Sequence, residues 1–112
     1  MIIAIDFDNT ICDMTDIPDG HRMGPPTPGA IMNIQRMVNE GHQIVIFTAR
    51  NVNRPEPYKA VEDWLVHFGI PFHGITNVKQ PYFDVMLDNR GLRFTDWPKA
   101  IFDLKRIIDG RI

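Results

Sequence analysis

The stretch Ile2-Ile3-Ala4-Ile5-Asp6-Phe7-Asp8-Asn9-Thr10 decides how the rest of the chain is read. Four apolar residues in succession, with no polar residue between them, describe a strand buried on both faces. Such strands belong to parallel sheets covered by helices. The apolar run stops at Asp6, so polar chemistry begins where the strand leaves the sheet. Asp6 and Asp8 flank Phe7, and the two-residue period of a strand turns both carboxylates to one side.

Working outward, the same alternation of elements recurs. Thr27 is placed to cap a helix with Pro28 at its first position, and Ile31, Ile34 and Val38 follow at helical spacing until Gly41. Residues 44–47 form a second apolar run that ends at Thr48, Ala49 and Arg50. Tyr58, Val61, Leu65 and Phe68 mark the inner stripe of a second helix, begun near Pro55 and Glu56 and ended by Gly69. Residues 72–75 predict a third strand, residues 85–87 a fourth that leads into Asp88, and residues 92–94 a short edge strand. A last helix starts near Asp96 and Pro98 and is expected to bury Ile101, Leu104 and Ile108. The pattern specifies an α/β fold, a three-layer Rossmann-like sandwich around a central parallel sheet of order 3-2-1-4. Before the first helix, Pro18, Gly20, Gly24, Pro25, Pro26 and Pro28 exclude regular structure and predict a flap over residues 13–26.

The 112 residues fit one domain, spanning 1–112. A formal net charge of −2 gives no general attraction for polyanions, so nucleic acid is not indicated as a partner. Cys12 is the only cysteine, which rules out an internal disulfide and a thiolate-rich zinc site and fits a reducing, cytoplasmic setting. The first residues lack the pattern of a signal peptide, and no apolar run is long enough for a membrane span. His21, His42, His67 and His73 have no metal-ligand spacing, and Trp64 and Trp97 fall where packing explains them.

In a parallel sheet, ligands bind beyond the carboxyl ends of the strands, near the point where strand order reverses. The polar residues delivered there are Asp6, Asp8 and Thr10, then Thr48 and Arg50, then the loop holding Lys79, then Asp88. With the fourth strand beside the first, Asp88 joins Asp6 and Asp8. Like charges at about 4 Å repel by roughly 1–4 kcal/mol per pair, so three carboxylates require compensation. Hard oxygen donors without His or Cys select Mg²⁺. Each residue has a plainer reading as well: two aspartates in a solvated turn, a surface lysine, a threonine ending a strand, an arginine paired with an acid.

The segment Asp6-Phe7-Asp8-Asn9-Thr10 resembles the first motif of the haloacid dehalogenase superfamily of phosphatases. Thr48, in Phe47-Thr48-Ala49-Arg50, is similar to the second motif, Lys79 to the lysine of the third, and Asp88 to the metal-binding acid of the fourth. The resemblance runs in order through the chain. It implies a capless Mg²⁺-dependent phosphomonoester hydrolase. Asp6 would be the nucleophile, Asp8 the general acid and base, and Thr48, Lys79 and Arg50 the groups that meet substrate phosphate. Asp6, Asp88 and the backbone carbonyl of Asp8 would hold the metal. Asn9 stands where the family has glycine, and Asn89 where many relatives have a second acid. With no cap domain, the expected substrate is a phosphorylated macromolecule, or a small phosphoester enclosed by a neighbouring subunit of a homo-oligomer. Two other readings stand beside it: a noncatalytic phosphate- or partner-binding module, and a nucleic-acid-end phosphatase using a stripe of Arg22, Arg50, Arg54 and Arg90.

Overall fold

The computed structural model describes residues 1–17, 22–50 and 55–110. Its elements in chain order are β1 (Ile2–Asp6), α1 (Ala30–Asn39), β2 (Gln43–Phe47), α2 (Lys59–His67), β3 (Gly74–Thr76), β4 (Val85–Leu87) and α3 (Trp97–Gly110). The four strands are parallel, in the order β3-β2-β1-β4. This is the expected α/β fold, and the reversal of strand order falls beside β1, where the apolar run hands over to Asp6.

Register sorts the side chains onto two faces. Ile3 pairs with Ile44 and Val85, Ile5 with Ile46 and Leu87, and Ile46 with Ile75, so these residues share one face. Ile5, Ile44 and Ile46 are completely or almost completely buried there, together with Ile34 of α1 and Val61, Trp64 and Leu65 of α2. Phe7 joins the same core edge-on to Trp64, with ring centroids 5.0 Å apart. The opposite face carries Ile2, Ala4, Val45, Phe47 and Met86, none of which belongs to that core cluster. Helices α1 and α2 close the first face over β1 and β2, while on β4 Val85 and Leu87 of that face are exposed; on the opposite face Ala4 is buried and Ile2, Val45, Phe47 and Met86 are half-buried.

Several local expectations are changed. Thr27 does not cap α1: its hydroxyl donates to the Thr10 carbonyl at 2.7 Å, and the helix begins later, after Gly29. The side chain thus ties the loop after β1 to the start of α1. Residues 92–94 form no strand, and Leu92 and Phe94 are exposed. The last helix starts where expected, with Asp96 Oδ1 accepting the Lys99 amide at 2.9 Å. Its stripe is not buried, however: Ile101, Leu104 and Ile108 are 44%, 42% and 56% exposed. Helical periodicity reports that a face needs cover, and it does not say which surface supplies it. Among the described residues, no helix is long and apolar enough to cross a membrane.

Candidate active site

Phe7 anchors the loop that follows β1. Its amide donates to the Phe47 carbonyl at 3.0 Å, extending the ladder one residue past the strand, and its own carbonyl accepts the amides of Ile11 and Cys12 at 3.0 and 2.9 Å. So tight a wrap needs a left-handed residue, and Asn9 supplies it with φ 61°, its side-chain oxygen accepting the Met14 amide at 3.1 Å. The glycine common in the resembling family is dispensable at this turn.

Asp8 is held from behind. Arg50, only 9% exposed, places Nε 2.8 Å from Asp8 Oδ1, and its Nη2 donates to the Arg22 carbonyl at 3.2 Å. The guanidinium also lies over the Phe7 ring, 5.9 Å from its centroid. Thr48 is buried; its amide donates to Thr76 and its hydroxyl accepts the Arg50 amide at 3.1 Å. Thr48 thereby shapes the backbone that aims Arg50. The Thr10 hydroxyl is buried with no partner among the described residues.

On the other side of β1, Asp88 folds back over the loop that it begins. Its Oδ1 accepts the amides of Arg90 at 2.5 Å and Gly91 at 2.6 Å. A Cβ on Gly91 would stand 3.2 Å from Asp88 Oδ2, so the absence of a side chain there leaves the carboxylate room.

Asp6, Asp8 and Asp88 then line one cavity of about 250 Å³, with Phe47, Ala49, Asn89 and Arg90 completing its wall. The electrostatic consequence is concentrated on Asp6. Burial, followed by the charges of Asp88 and Asp8, pushes its carboxyl from the ordinary 3.8 up to about 6, while the Phe7 amide and Arg90 pull the other way. Among the described residues, no three His, Cys, Asp or Glu side chains stand together at metal-ligand spacing. The carboxylates of Asp6 and Asp88 are oxygen donors of the kind suited to a hard cation. The repulsion between these two carboxylates, which adds to burial in raising the Asp6 pKa, is what a divalent ion would relieve.

Lys79 is placed differently from these. It is exposed and lines a neighbouring groove of about 670 Å³ along the outer edge of β4, with Met1, Asp84, Met86 and Leu92. That groove shares Asp88 with the cavity. Asp84 sits at the far end of the sheet, its carboxylate accepting the Ile2 amide at 2.7 Å. His21 and Arg54 lie outside the described residues.

The cavity residue that sequence reasoning underrated is Arg90, named only as part of a basic stripe. Its signal was positional: it follows Asp88 by two residues at a strand exit, as Asp8 follows Asp6. Gly91 was not singled out at all.

By sequence, no family model matches the chain, and no curated protein matches it. By structure there is a likeness. A conserved protein from Bacteroides thetaiotaomicron superposes with a TM-score of 0.66, covering 95% of this chain and 90% of that one at 21% identity. At that identity the likeness establishes the fold, and it bears on no function.

Proposed function

We propose that the chain is a Mg²⁺-dependent phosphomonoester hydrolase that works through an aspartyl-phosphate, as its resemblance to the haloacid dehalogenase superfamily implies. The observation that carries this reading is the convergence of Asp6, Asp8 and Asp88 on one small cavity at the carboxyl edge of a parallel sheet. Arg50 offsets the charge of Asp8 and Arg90 part of that of Asp6, and a bound cation would offset the rest.

In this mechanism an oxygen of Asp6 attacks phosphorus as the ester oxygen departs. Asp8 gives the departing oxygen a proton and later takes one from the water that cleaves the acyl-phosphate, which regenerates both residues. Arg50 is the positioning residue: Nε occupies Asp8 Oδ1 and leaves Oδ2 to carry the proton. Asp6, Asp88 and the Asp8 carbonyl would hold Mg²⁺, which neutralises phosphoryl oxygens near the carboxylates when bound. Arg90 is the cation in the cavity wall itself, and Lys79 is assigned to phosphate across the shared Asp88. The small open cavity suits a phosphoryl group whose ester remainder stays outside.

The test is phosphate release from a panel of phosphomonoesters, including phosphorylated nucleic-acid ends, by the purified protein with Mg²⁺. Release that requires both Mg²⁺ and Asp6 supports the reading. Binding of phosphoesters without any release would favour the noncatalytic module instead.

A further inference from the structure

Packing accounts for the ring of Trp64, which is only 9% exposed and meets Phe7 edge-on, but it does not account for the ring nitrogen. A buried indole N–H needs an acceptor. Here Nε1 reaches out of α2 and donates at 3.0 Å to the Gly24 carbonyl, 40 residues away in sequence. Its acceptor is therefore the main chain of the loop between β1 and α1, on the stem that returns towards the helix.

That stem is also what anchors Arg50. Two residues before Gly24, the Arg22 carbonyl accepts from Arg50 Nη2 at 3.2 Å, and Met14 Sδ of the outgoing stem lies 3.2 Å from the same nitrogen. The two stems are joined to each other: the Asp13 amide donates to the Pro25 carbonyl and the Thr27 amide to the Ile11 carbonyl, each at 2.8 Å. At the other end of the guanidinium, Nε meets Asp8 Oδ1, and its face lies over the Phe7 ring. Trp64 thus touches both supports of Arg50, the ring beneath it and the stem beside it.

The guanidinium is a rigid planar fork, so fixing Nη2 fixes where Nε points. An arginine tied only to a partly exposed carboxylate would keep much of its rotamer freedom. We propose that Trp64 is a positioning residue for Asp8: its hydrogen bond to the Gly24 carbonyl holds the stem on which Arg50 is anchored, and Arg50 in turn orients the Asp8 carboxylate. The consequence for turnover rests on the phosphatase reading. The relay itself is a matter of hydrogen bonds and can be tested without any reaction.

Trp64→Phe keeps an aromatic ring against Phe7 and removes the N–H. Val61→Ala, one turn earlier on the buried face of α2, is the control for lost packing. Hydrogen exchange at the Arg50 Nε–H, followed by NMR on the full chain, should quicken roughly threefold to tenfold in Trp64→Phe, the shift that one hydrogen bond sustains, and stay near wild type in Val61→Ala. For turnover, kcat/KM is compared between an alkyl phosphate, whose leaving oxygen needs the Asp8 proton, and p-nitrophenyl phosphate, whose phenolate departs without one. Trp64→Phe should lower kcat/KM for the alkyl ester roughly threefold to tenfold more than for the aryl ester. Arg50→Met should show the same bias more strongly, and the double variant should show no more of it than Arg50→Met alone. Unchanged exchange in Trp64→Phe overturns the proposal. So does an equal loss on both esters, or the same exchange and ester bias in Val61→Ala, since each is what lost packing alone produces. Exchange that quickens only in Trp64→Phe, in a protein that releases phosphate from neither ester, supports the relay and overturns the phosphatase reading instead.

Discussion

The proposed mechanism asks two opposed things of Asp6, and the opposition can be measured. As nucleophile it must be ionised, yet burial and two neighbouring acids disfavour its charge and hold its carboxyl near 6. A folded-state value above the ordinary 3.8 means that Asp6 contributes most stability below about pH 4, and that this is lost as pH rises through about 6. Asp6→Asn removes the charge at every pH. Without metal it should stabilise the protein at pH 7 by about 1 kcal/mol once contact with water is allowed for, and flatten the stability profile between pH 4 and 6. The same substitution should lower turnover by at least about a thousandfold, because an amide cannot form the acyl-phosphate. Urea unfolding across pH and phosphate release read the two effects separately: a variant that keeps its activity removes the nucleophile assignment, and one that is less stable at pH 7 removes the electrostatic cost argued for Asp6. Asp8 and Arg50 are unequal partners, with side chains 42% and 7% exposed. Asp8→Ala takes the carboxylate from a buried guanidinium that keeps its other partners, the Arg22 carbonyl among them, whereas Arg50→Met leaves a carboxylate that water can reach. Asp8→Ala should therefore cost the fold more, on the order of 2–3 kcal/mol against 1–2. The reverse order in denaturant titrations would mean that the ion pair is not what holds the loop.

At the scale of elements, β1 and β2 were legible because continuous apolar runs admit few other meanings, and their pairing fixed the order of the sheet. Asp6, Asp8 and Asp88 were legible for the same reason: a residue ending a buried strand has its position set by the sheet. The site was less legible where position depends on loops. Thr27 reads as a helix cap in sequence, but only the path of the chain shows that the Thr10 carbonyl takes its hydroxyl. Arg50 reads in sequence as a phosphate ligand or as the partner of an acid, and only the structure shows which acid, with Asp8 Oδ1 2.8 Å from its Nε. Residues 92–94 and α3 carry sound local patterns whose tertiary partners no local pattern names. Gly24 belongs to this second class. A Cβ there would lie 1.8 Å from the Asp13 carbonyl oxygen, where the two stems of the flap cross and Trp64 Nε1 donates to the Gly24 carbonyl at 3.0 Å. Gly24→Ala should destabilise the protein by about 1–3 kcal/mol, with loss of the tryptophan's buried fluorescence environment before global unfolding. An unchanged melting curve would show that the stems part without cost.

For the molecule as a whole, the proposed cation site would be a point where folding and metal binding meet. The apo protein holds Asp6 and Asp88 together against their repulsion, so any divalent ion that binds between them stabilises the native state and not the unfolded one. Mg²⁺ at about a hundred times its dissociation constant should add roughly 2.7 kcal/mol. At about 4–8 °C per kcal/mol for a domain near this size, the melting temperature should rise by roughly ten degrees or more. Ca²⁺ should stabilise comparably but support little turnover, because its looser coordination can engage both oxygens of Asp6 and so block attack. Asp88→Asn separates this from a general salt effect. It removes one carboxylate, so the apo protein should melt no lower than wild type while the shift with Mg²⁺ disappears. Melting curves in EDTA, Mg²⁺ and Ca²⁺, at fixed protein concentration, make the comparison. If Mg²⁺ leaves the wild-type curve where EDTA put it, or Asp88→Asn responds as fully as wild type, the three acids are not a cation site, and the phosphatase reading loses the physical reason for their convergence.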